Sequence, residues 1–424
     1  MDRSRGRLGM RALRRRLALA AGAALLLALG HACRGGPARG TEPARWWKGN
    51  THTHTLWSDG NAPPELVVKW YRDRDYRFLV LSDHHVLSRG EAWRPVGAGL
   101  RVNPAHLDAA IAELGDGVLH LREGEAGAEL RLGTLDELRA RYEAPGEFLL
   151  IEGEELTSSA GALPVHVNGL NLAEAIPSQT GASALEVLNK SVAVVHEQGR
   201  RLERPVLAHV NHPNFRWGLT WADIAHLEGD RFFEVYNGHP GTADGGDAEH
   251  PSTERMWDLA LTLRLGELGL EPLYGVATDD AHDYFEWGPG RVNPGRGWIM
   301  VRASELSASS LIAAMGRGDF YASSGVELSD VRFDGRRYEV EIEAEPGASY
   351  TTRFVGTRMA GNAPGEAGEV LLATSDNPAR YDCRGDELYV RAVVDSSRLH
   401  PRPRAEGERE MAWTQPRAPG APGR

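Results

Sequence analysis

Imidazole and carboxylate side chains crowd three short stretches of the chain. They are Thr51-His52-Thr53-His54 with Ser58-Asp59-Gly60, then Ser82-Asp83-His84-His85, and much later Thr278-Asp279-Asp280-Ala281-His282. Each closes an apolar run. Residues two apart in a strand share a face. His52 and His54 therefore point together, as do Asp280 and His282, and Glu152 and Glu154. If these strand ends converge, the groups are the ligands of a divalent-metal cluster. Mixed imidazole and carboxylate donors without cysteine suit Zn, Mn or Fe(II) and leave positions open to water and substrate. A metal lowers the pKa of bound water to about 7, and a metal pair clamps attacking and leaving oxygens. The chemistry implied is hydrolysis.

The elements that must position these groups alternate. Residues 78–81, 148–151, 164–167, 206–210, 232–236, 273–277 and 298–301 are continuous apolar runs and read as buried strands. Helices are expected from Pro63-Pro64-Glu65, over 184–198 with Leu185, Leu188, Val192 and Val195 on one stripe, and over 253–268. Alternation of this kind argues for an α/β fold with a parallel sheet, open or closed into a barrel. A barrel fits better, because metal-type residues fall at C-terminal strand ends, where barrel sites are built. Residues 91–147 read as a charged, helical insertion with Leu135, Leu138 and Tyr142 as a weak stripe. From about residue 326 the pattern turns to period two, at 331–333, 338–342, 350–354 and 389–393. This predicts a small β-sandwich-like module over 326–415. Residues 416–424 read as a disordered tail.

The formal net charge of the 424 residues is −11, unevenly spread. Residues 1–45 hold ten Arg and two acids, leaving 38 basic and 57 acidic residues, a net of −19. That excludes binding to a nucleic-acid backbone, which needs clustered Lys and Arg. It does not exclude an anionic small-molecule substrate, since metals invert the local field. Residues 1–33 read as an export signal: Arg11, Arg14, Arg15 and Arg16 precede the uncharged run 17–29, too short for a comfortable membrane span. Ala32-Cys33 resembles a lipoprotein cleavage site, with simple cleavage nearby and an uncleaved anchor as alternatives. The expected location is periplasmic, or membrane-anchored through a lipid on Cys33. Residues 34–45 are a linker by composition. Apart from Cys33 there is one other cysteine, Cys383, so disulfides and thiolate metal sites are not expected. No protein partner is indicated.

His-x-His at 52–54, Ser-Asp-Gly at 58–60, Asp83-His84, Gly153-Glu154, His212-Pro213 and Asp280-x-His282, in this order, resemble the polymerase and histidinol phosphatase (PHP) superfamily. The likeness spans residues 46–325. It is nearest to the exported PHP-domain metallohydrolases that include carbaryl hydrolase, with counterparts at Pro164-Val165-His166-Val167-Asn168, Asn211-His212-Pro213-Asn214, Glu234-Val235-Tyr236-Asn237-Gly238 and Gly297-Trp298. The resemblance implies a distorted (β/α)7 barrel with two or three divalent ions and a bridging hydroxide. Its ligands would be His52, His54, Asp59, His84, Glu154, His166, His212, Asp280 and His282, with Glu154 as bridging carboxylate. Asp59 or His282 would handle a proton at the leaving group. Asn237, Asn214 or Arg296 would fix a substrate oxygen.

Several neighbours compete for these roles. His84 is preferred to His85 by strand phase. Glu154 is preferred to Glu152 and Glu155 by its preceding glycine, and Glu155 is expected to point away. His209 competes with His212. Asp279 is expected to support a ligand rather than bind metal. His239 lies at the mouth or on a surface loop. The expected activity is a phosphoesterase acting on a small organic phosphate. The alternatives are a carboxylic or carbamic ester or amide hydrolase with the same cluster, and a non-catalytic metal-binding surface protein.

Overall fold

The computed structural model describes residues 44–420; the expected export signal and most of the expected linker lie outside them. Strand β1 (Arg45–Asn50) begins at the last residue assigned to the linker. Helix α1 (Pro64–Arg72) starts, as its prolines predict, with Pro at the first turn, where a missing N–H costs nothing. Strand β2 is Phe78–Leu81. The expected helical insertion is mixed: β3 (Trp93–Pro95), β4 (Leu121–Gly124) and β5 (Gly127–Arg131) form their own sheet, with α2 (Pro104–Leu114) and α3 (Leu135–Tyr142) beside it. Then come β6 (Leu149–Ala160), β7 (Leu163–Leu170), α4 (Ala184–Arg201), β8 (Leu207–Val210), α5 (Trp221–Ala225), β9 (Phe232–Asn237), α6 (Thr253–Leu263) and β10 (Tyr274–Thr278). The Ser183 hydroxyl caps α4 by accepting from Glu186 N–H, and Val187, Leu188, Val192 and Val195 form its buried stripe.

The architecture is mixed α/β around one fourteen-stranded sheet. Strands β1, β2 and β6 run parallel, as do β8, β9 and β10. Strand β7 breaks the expected parallel order, pairing antiparallel with both β6 and β8. The cause is local: a two-residue turn with Gly161 at φ 61° folds β7 straight back as a hairpin. Strand β10 ends the hydrogen-bonded strand order, so the pairing alone does not show a closed barrel. The chain after it meets the chain after β1 through one parallel bridge, Thr53 to Ala281. Two hydrogen bonds secure it, His54 N–H to Ala281 O and Asp280 N–H to His52 O, both 3.0 Å. Phe78, Val80, Ile151, Phe232, Val276 and Ile299 pack together on the inner face of these strands.

The main sheet continues across the boundary expected near residue 326. Strands β11 (Trp298–Ala303) and β12 (Phe320–Ser323), with α7 (Ala308–Gly316) between them, lead into β13 (Leu328–Phe333), β14 (Arg337–Ile342), β15 (Tyr350–Ala360), β16 (Ala363–Pro364), β17 (Glu369–Thr374), β18 (Ala379–Asp382), β19 (Glu387–Leu399) and β20 (Arg409–Thr414). Strand β20 inserts between β12 and β19, so the C-terminal strands extend the main sheet. Strands β13, β14 and β18 form a separate layer, packed on it through Tyr338, Val340, Phe354 and Val394. The tail is anchored where it is described: Arg417 and Val390 exchange backbone hydrogen bonds of 2.8 Å.

A buried ion pair ties β19 to α6. Asp258 accepts from Arg391 Nε at 2.9 Å and Nη2 at 2.7 Å, and from Tyr389 O–H at 2.8 Å. Arg391 is almost wholly buried, 1 % exposed. Asp258→Ala strands that guanidinium, and unfolding in urea should show a loss of about 3–5 kcal/mol.

Candidate metal centre

The predicted stretches converge. His52 and His54 follow β1, His84 follows β2, His166 lies in β7, His212 follows β8, and Asp280 and His282 follow β10. Their donor atoms form four overlapping groups: His54, Asp59, His84 and His282; His52, His54 and Glu155; His52, His212 and Asp280; Glu155, His166 and His212. Within each group the donors lie within 4.8 Å of one another. Eight of the nine residues assigned as ligands from the sequence are brought together.

The ninth, Glu154, is not. Its carboxylate accepts from Ile176 N–H at 2.8 Å, away from the histidines. The residue that enters the cluster is Glu155, which the sequence placed facing away. Strand phase is the reason. Ile151 packs in the inner-face cluster and Leu150 against α1; period two then carries residues 153 and 155 inward and 154 outward. Glu155 Oε1 lies 3.0 Å from His166 Nδ1 and 3.3 Å from His212 Nε2. Its Oε2 lies 3.4 Å from the Nε2 atoms of both His52 and His54, and 2.9 Å from His84 Nδ1. One carboxylate thus faces five imidazoles. Glu152 is also elsewhere, held by Arg89 Nε at 2.6 Å.

Asp280 Oδ1 lies 3.2 Å from Nε2 of both His52 and His54. Asp59 Oδ1 stands 3.2 Å from His282 Nε2 and 3.4 Å from His84 Nε2. Two donors bound at about 2.1 Å to one cation stand roughly 3.0–3.4 Å apart, from octahedral to tetrahedral angles. The observed spacings match. Nε2 of both His52 and His54 is buried without a hydrogen-bond partner, an arrangement that is costly unless a cation takes the lone pair. The residues present fit divalent metals by donor type, spacing and orphaned nitrogens.

Residues around the cluster set its orientation. Glu234 receives His52 Nδ1 at 2.7 Å and accepts from His212 N–H at 2.7 Å, Asn237 Nδ2 at 2.7 Å and Thr278 O–H at 2.8 Å. A carboxylate behind a ligating histidine fixes tautomer and ring direction. The sequence reading gave Glu234 no role, although it sits in the quoted Glu-Val-Tyr-Asn-Gly stretch. Asn211 Nδ2 donates to Glu155 Oε1 at 2.9 Å. Asp83 accepts from Thr55 N–H and Ser58 N–H at 2.8 and 3.0 Å, shaping the turn that presents Asp59. Asp279 accepts from Tyr71 O–H and from the N–H groups of residues 295, 296 and 297. It braces Asp280, which adopts φ 49°. His85, at φ 55°, turns out toward Ser178. His209 is buried beside His52, with ring centroids 6.3 Å apart, and belongs to none of the donor groups. His239 reaches the rim, 5.9 Å from the His282 ring. The three residues expected to fix substrate are engaged elsewhere: Asn214 donates to Ala243 O and Pro251 O, Asn237 to Glu234, and Arg296 to backbone carbonyls.

The electrostatics fit the same picture. Burial would lower His84, but Glu155 and Asp59 outweigh it and hold it at about 11. Burial, with His282 and His84 nearby, pushes His54 down to about 3. Burial raises Glu155, yet His84, His52 and His166 hold it well below the carboxylate range. Glu154, lacking such partners, is pushed up by burial to about 7, against 4.5. Its folded form keeps a proton that the unfolded chain loses, so stability falls as pH rises through that window. Glu154→Gln removes the penalty. Urea titrations should show the variant gaining roughly 1–3 kcal/mol over the parent at pH 8 relative to pH 4.

No family model matches the chain, and no curated protein matches it. Solved structures overlap it loosely. A two-domain protein from Bacteroides vulgatus containing a predicted PHP-like metal-dependent phosphoesterase is 13 % identical, with a TM-score of 0.39 over 88 % of this chain and 95 % of that one. PsfC from Pseudomonas syringae is 14 % identical, with a TM-score of 0.33 over 64 % and 88 %. An amidohydrolase from Chromobacterium violaceum is 16 % identical, with a TM-score of 0.27 over 57 % and 93 %.

Proposed function

We propose that the protein is an exported PHP-type metallohydrolase that cleaves small organic phosphate esters. The observation that carries the hydrolase reading is the convergence of four donor groups on shared residues Glu155, His52 and His54. When bound, the cations supply Lewis acidity that makes water a nucleophile at neutral pH and polarises the ester. His52, His54, His84, His166, His212, His282, Asp59, Glu155 and Asp280 would hold two or three of them, with Glu155 as the shared carboxylate. Asp59 is the most exposed of these groups at 35 %, and with His282 it faces solvent, where a leaving oxygen takes its proton. The curved strand set from β1 to β10 is read as an open version of the PHP barrel.

Two arginines favour an anionic substrate. Arg101 donates to Asp59 O at one end of the cluster. Arg216 lies over the Phe215 ring at the other, and that ring is 5.2 Å from the His212 ring. Exposed guanidinium groups on both flanks suit a phosphate dianion better than a neutral carbamate or amide. The full chain should therefore turn over p-nitrophenyl phosphate with Mn or Zn added, in preference to p-nitrophenyl carboxylic esters. Arg216→Ala should raise KM for the phosphate about tenfold and leave KM for a neutral ester unchanged. Faster ester than phosphate turnover would favour the esterase or amidase reading. Metal binding with neither activity would favour a binding protein.

The Arg-rich lead and uncharged run of residues 1–33 support export, with lipid on Cys33 as the anchored form. Radiolabelled palmitate incorporated by the parent chain and lost in Cys33→Ser tests the anchor.

A further inference from the structure

The excursion between β19 and β20, residues 400–408, crosses to the strand ends that carry the metal centre. Arg404 Nη1 donates to Asn237 O at 2.9 Å and to the Asp244 carboxylate, and its guanidinium lies 4.3 Å from the Tyr236 ring centroid. Asp244 accepts in turn from Asn237 N–H at 2.8 Å. The Asn237 amide then donates to Glu234 at 2.7 Å and Asp280 at 3.2 Å. Glu234 holds His52. An unbroken chain of hydrogen bonds therefore runs from Arg404 to two donors of the cluster.

A second arginine fastens the same arm. Arg296 is 0 % exposed and carries no carboxylate partner on its guanidinium. It donates instead to the carbonyls of Arg402 at 3.0 Å, Pro403 at 3.2 Å, Gly238 at 2.9 Å and Gly288 at 3.1 Å, and to that of Arg291. Two of these acceptors belong to the arm, and Gly238 directly follows Asn237. Arg404 O closes the clasp by accepting from Gly290 N–H at 3.0 Å. A buried charge neutralised by carbonyl dipoles needs every one of them in place. The arm and the site loops therefore hold one another.

We propose that this arm is part of the metal centre and that Arg404 is its positioning residue, fixing Asn237 so that Glu234 and Asp280 keep their spacing to His52. The inference rests on the metal-site reading but not on the identity of the substrate. Its test is calorimetric titration of chelator-treated full chain with Mn(II) and Co(II), alongside circular dichroism. Arg404→Ala should keep the fold and lose metal affinity about 10–100-fold, the range for residues that orient ligands. Arg404→Lys keeps a charged donor facing Asp244 but loses the planar fork whose Nε bonds Glu408 Oε1 at 2.7 Å, and should lose less, about 3–10-fold. It serves as the readout if the alanine variant does not fold. Arg255→Ala is the control, since Arg255 tethers the C-terminal part of the chain to α6 through Ala367 O, in the β16–β17 connection, without touching this chain of bonds; its metal affinity should match the parent. Parent-like affinity in folded Arg404→Ala, or an equal loss in Arg255→Ala, overturns the proposal alone. A parent chain that binds neither cation overturns the metal-site reading with it.

Discussion

Glu155→Gln should abolish metal loading and turnover, whereas Glu154→Gln should leave both near the parent level. The two residues are adjacent and alike, so the contrast isolates geometry from composition. Glu155 sets both oxygens among five imidazoles, and its charge balances them. An amide of the same shape offers one neutral oxygen and a donor that repels a cation. Affinity should drop by more than about 100-fold, the upper range for loss of a mere supporting residue. Elemental analysis after gel filtration reads the loading, and p-nitrophenyl phosphate reads the turnover. Full loading in Glu155→Gln would falsify its role as the shared carboxylate.

Chelation should destabilise the protein, and more so as pH rises. Cations present at a thousandfold excess over Kd stabilise the folded state by about 4 kcal/mol, about 5 °C in Tm for a chain of this size. Once they are removed, the carboxylates of Asp59, Glu155, Asp280 and Glu234 are balanced only by protons on the histidines. His84 shows the consequence: its folded value of about 11 stands above 6.5, so the metal-free fold holds a proton that the unfolded chain gives up between those values. That contribution is complete below pH 6.5 and disappears as pH climbs toward 11. The loaded protein has exchanged such protons for metal and lacks this dependence. Thermal scans with and without chelator should diverge between pH 6.5 and 9. A gap that narrows over that range would contradict the assignment of His84 to the cluster.

The site was largely legible in the sequence because its ligands come as local motifs at strand ends. Two residues of spacing decide that His52 and His54 face one way, and no tertiary information is needed. Glu155 was not legible. Residues 149–156 are apolar or acidic at both phases, so neither face of β6 is marked as inner; only packing of Ile151 against Val80 settles it. Glu234 was hidden differently, since a carboxylate that serves a histidine looks like any acid in a strand. The antiparallel return of β7 depends on a tight turn, and the apolar run of β7 reads the same in either direction. The division near residue 326 was expected from a change in period. Period reports what one strand faces, not which strand it pairs with, and β20 pairs across that division.

Strand β20 has a consequence for how the molecule is made. It is the last described strand, yet it lies within the ladder, flanked by β12 and β19. Until residue 414 has left the ribosome, β12 keeps an open edge and the two portions of the sheet stay unjoined. Such late, long-range pairing is slow, and the waiting edges are prone to pair with other chains. A nascent chain stalled before this point should remain protease-sensitive and bound to chaperones, and completion of synthesis should release it.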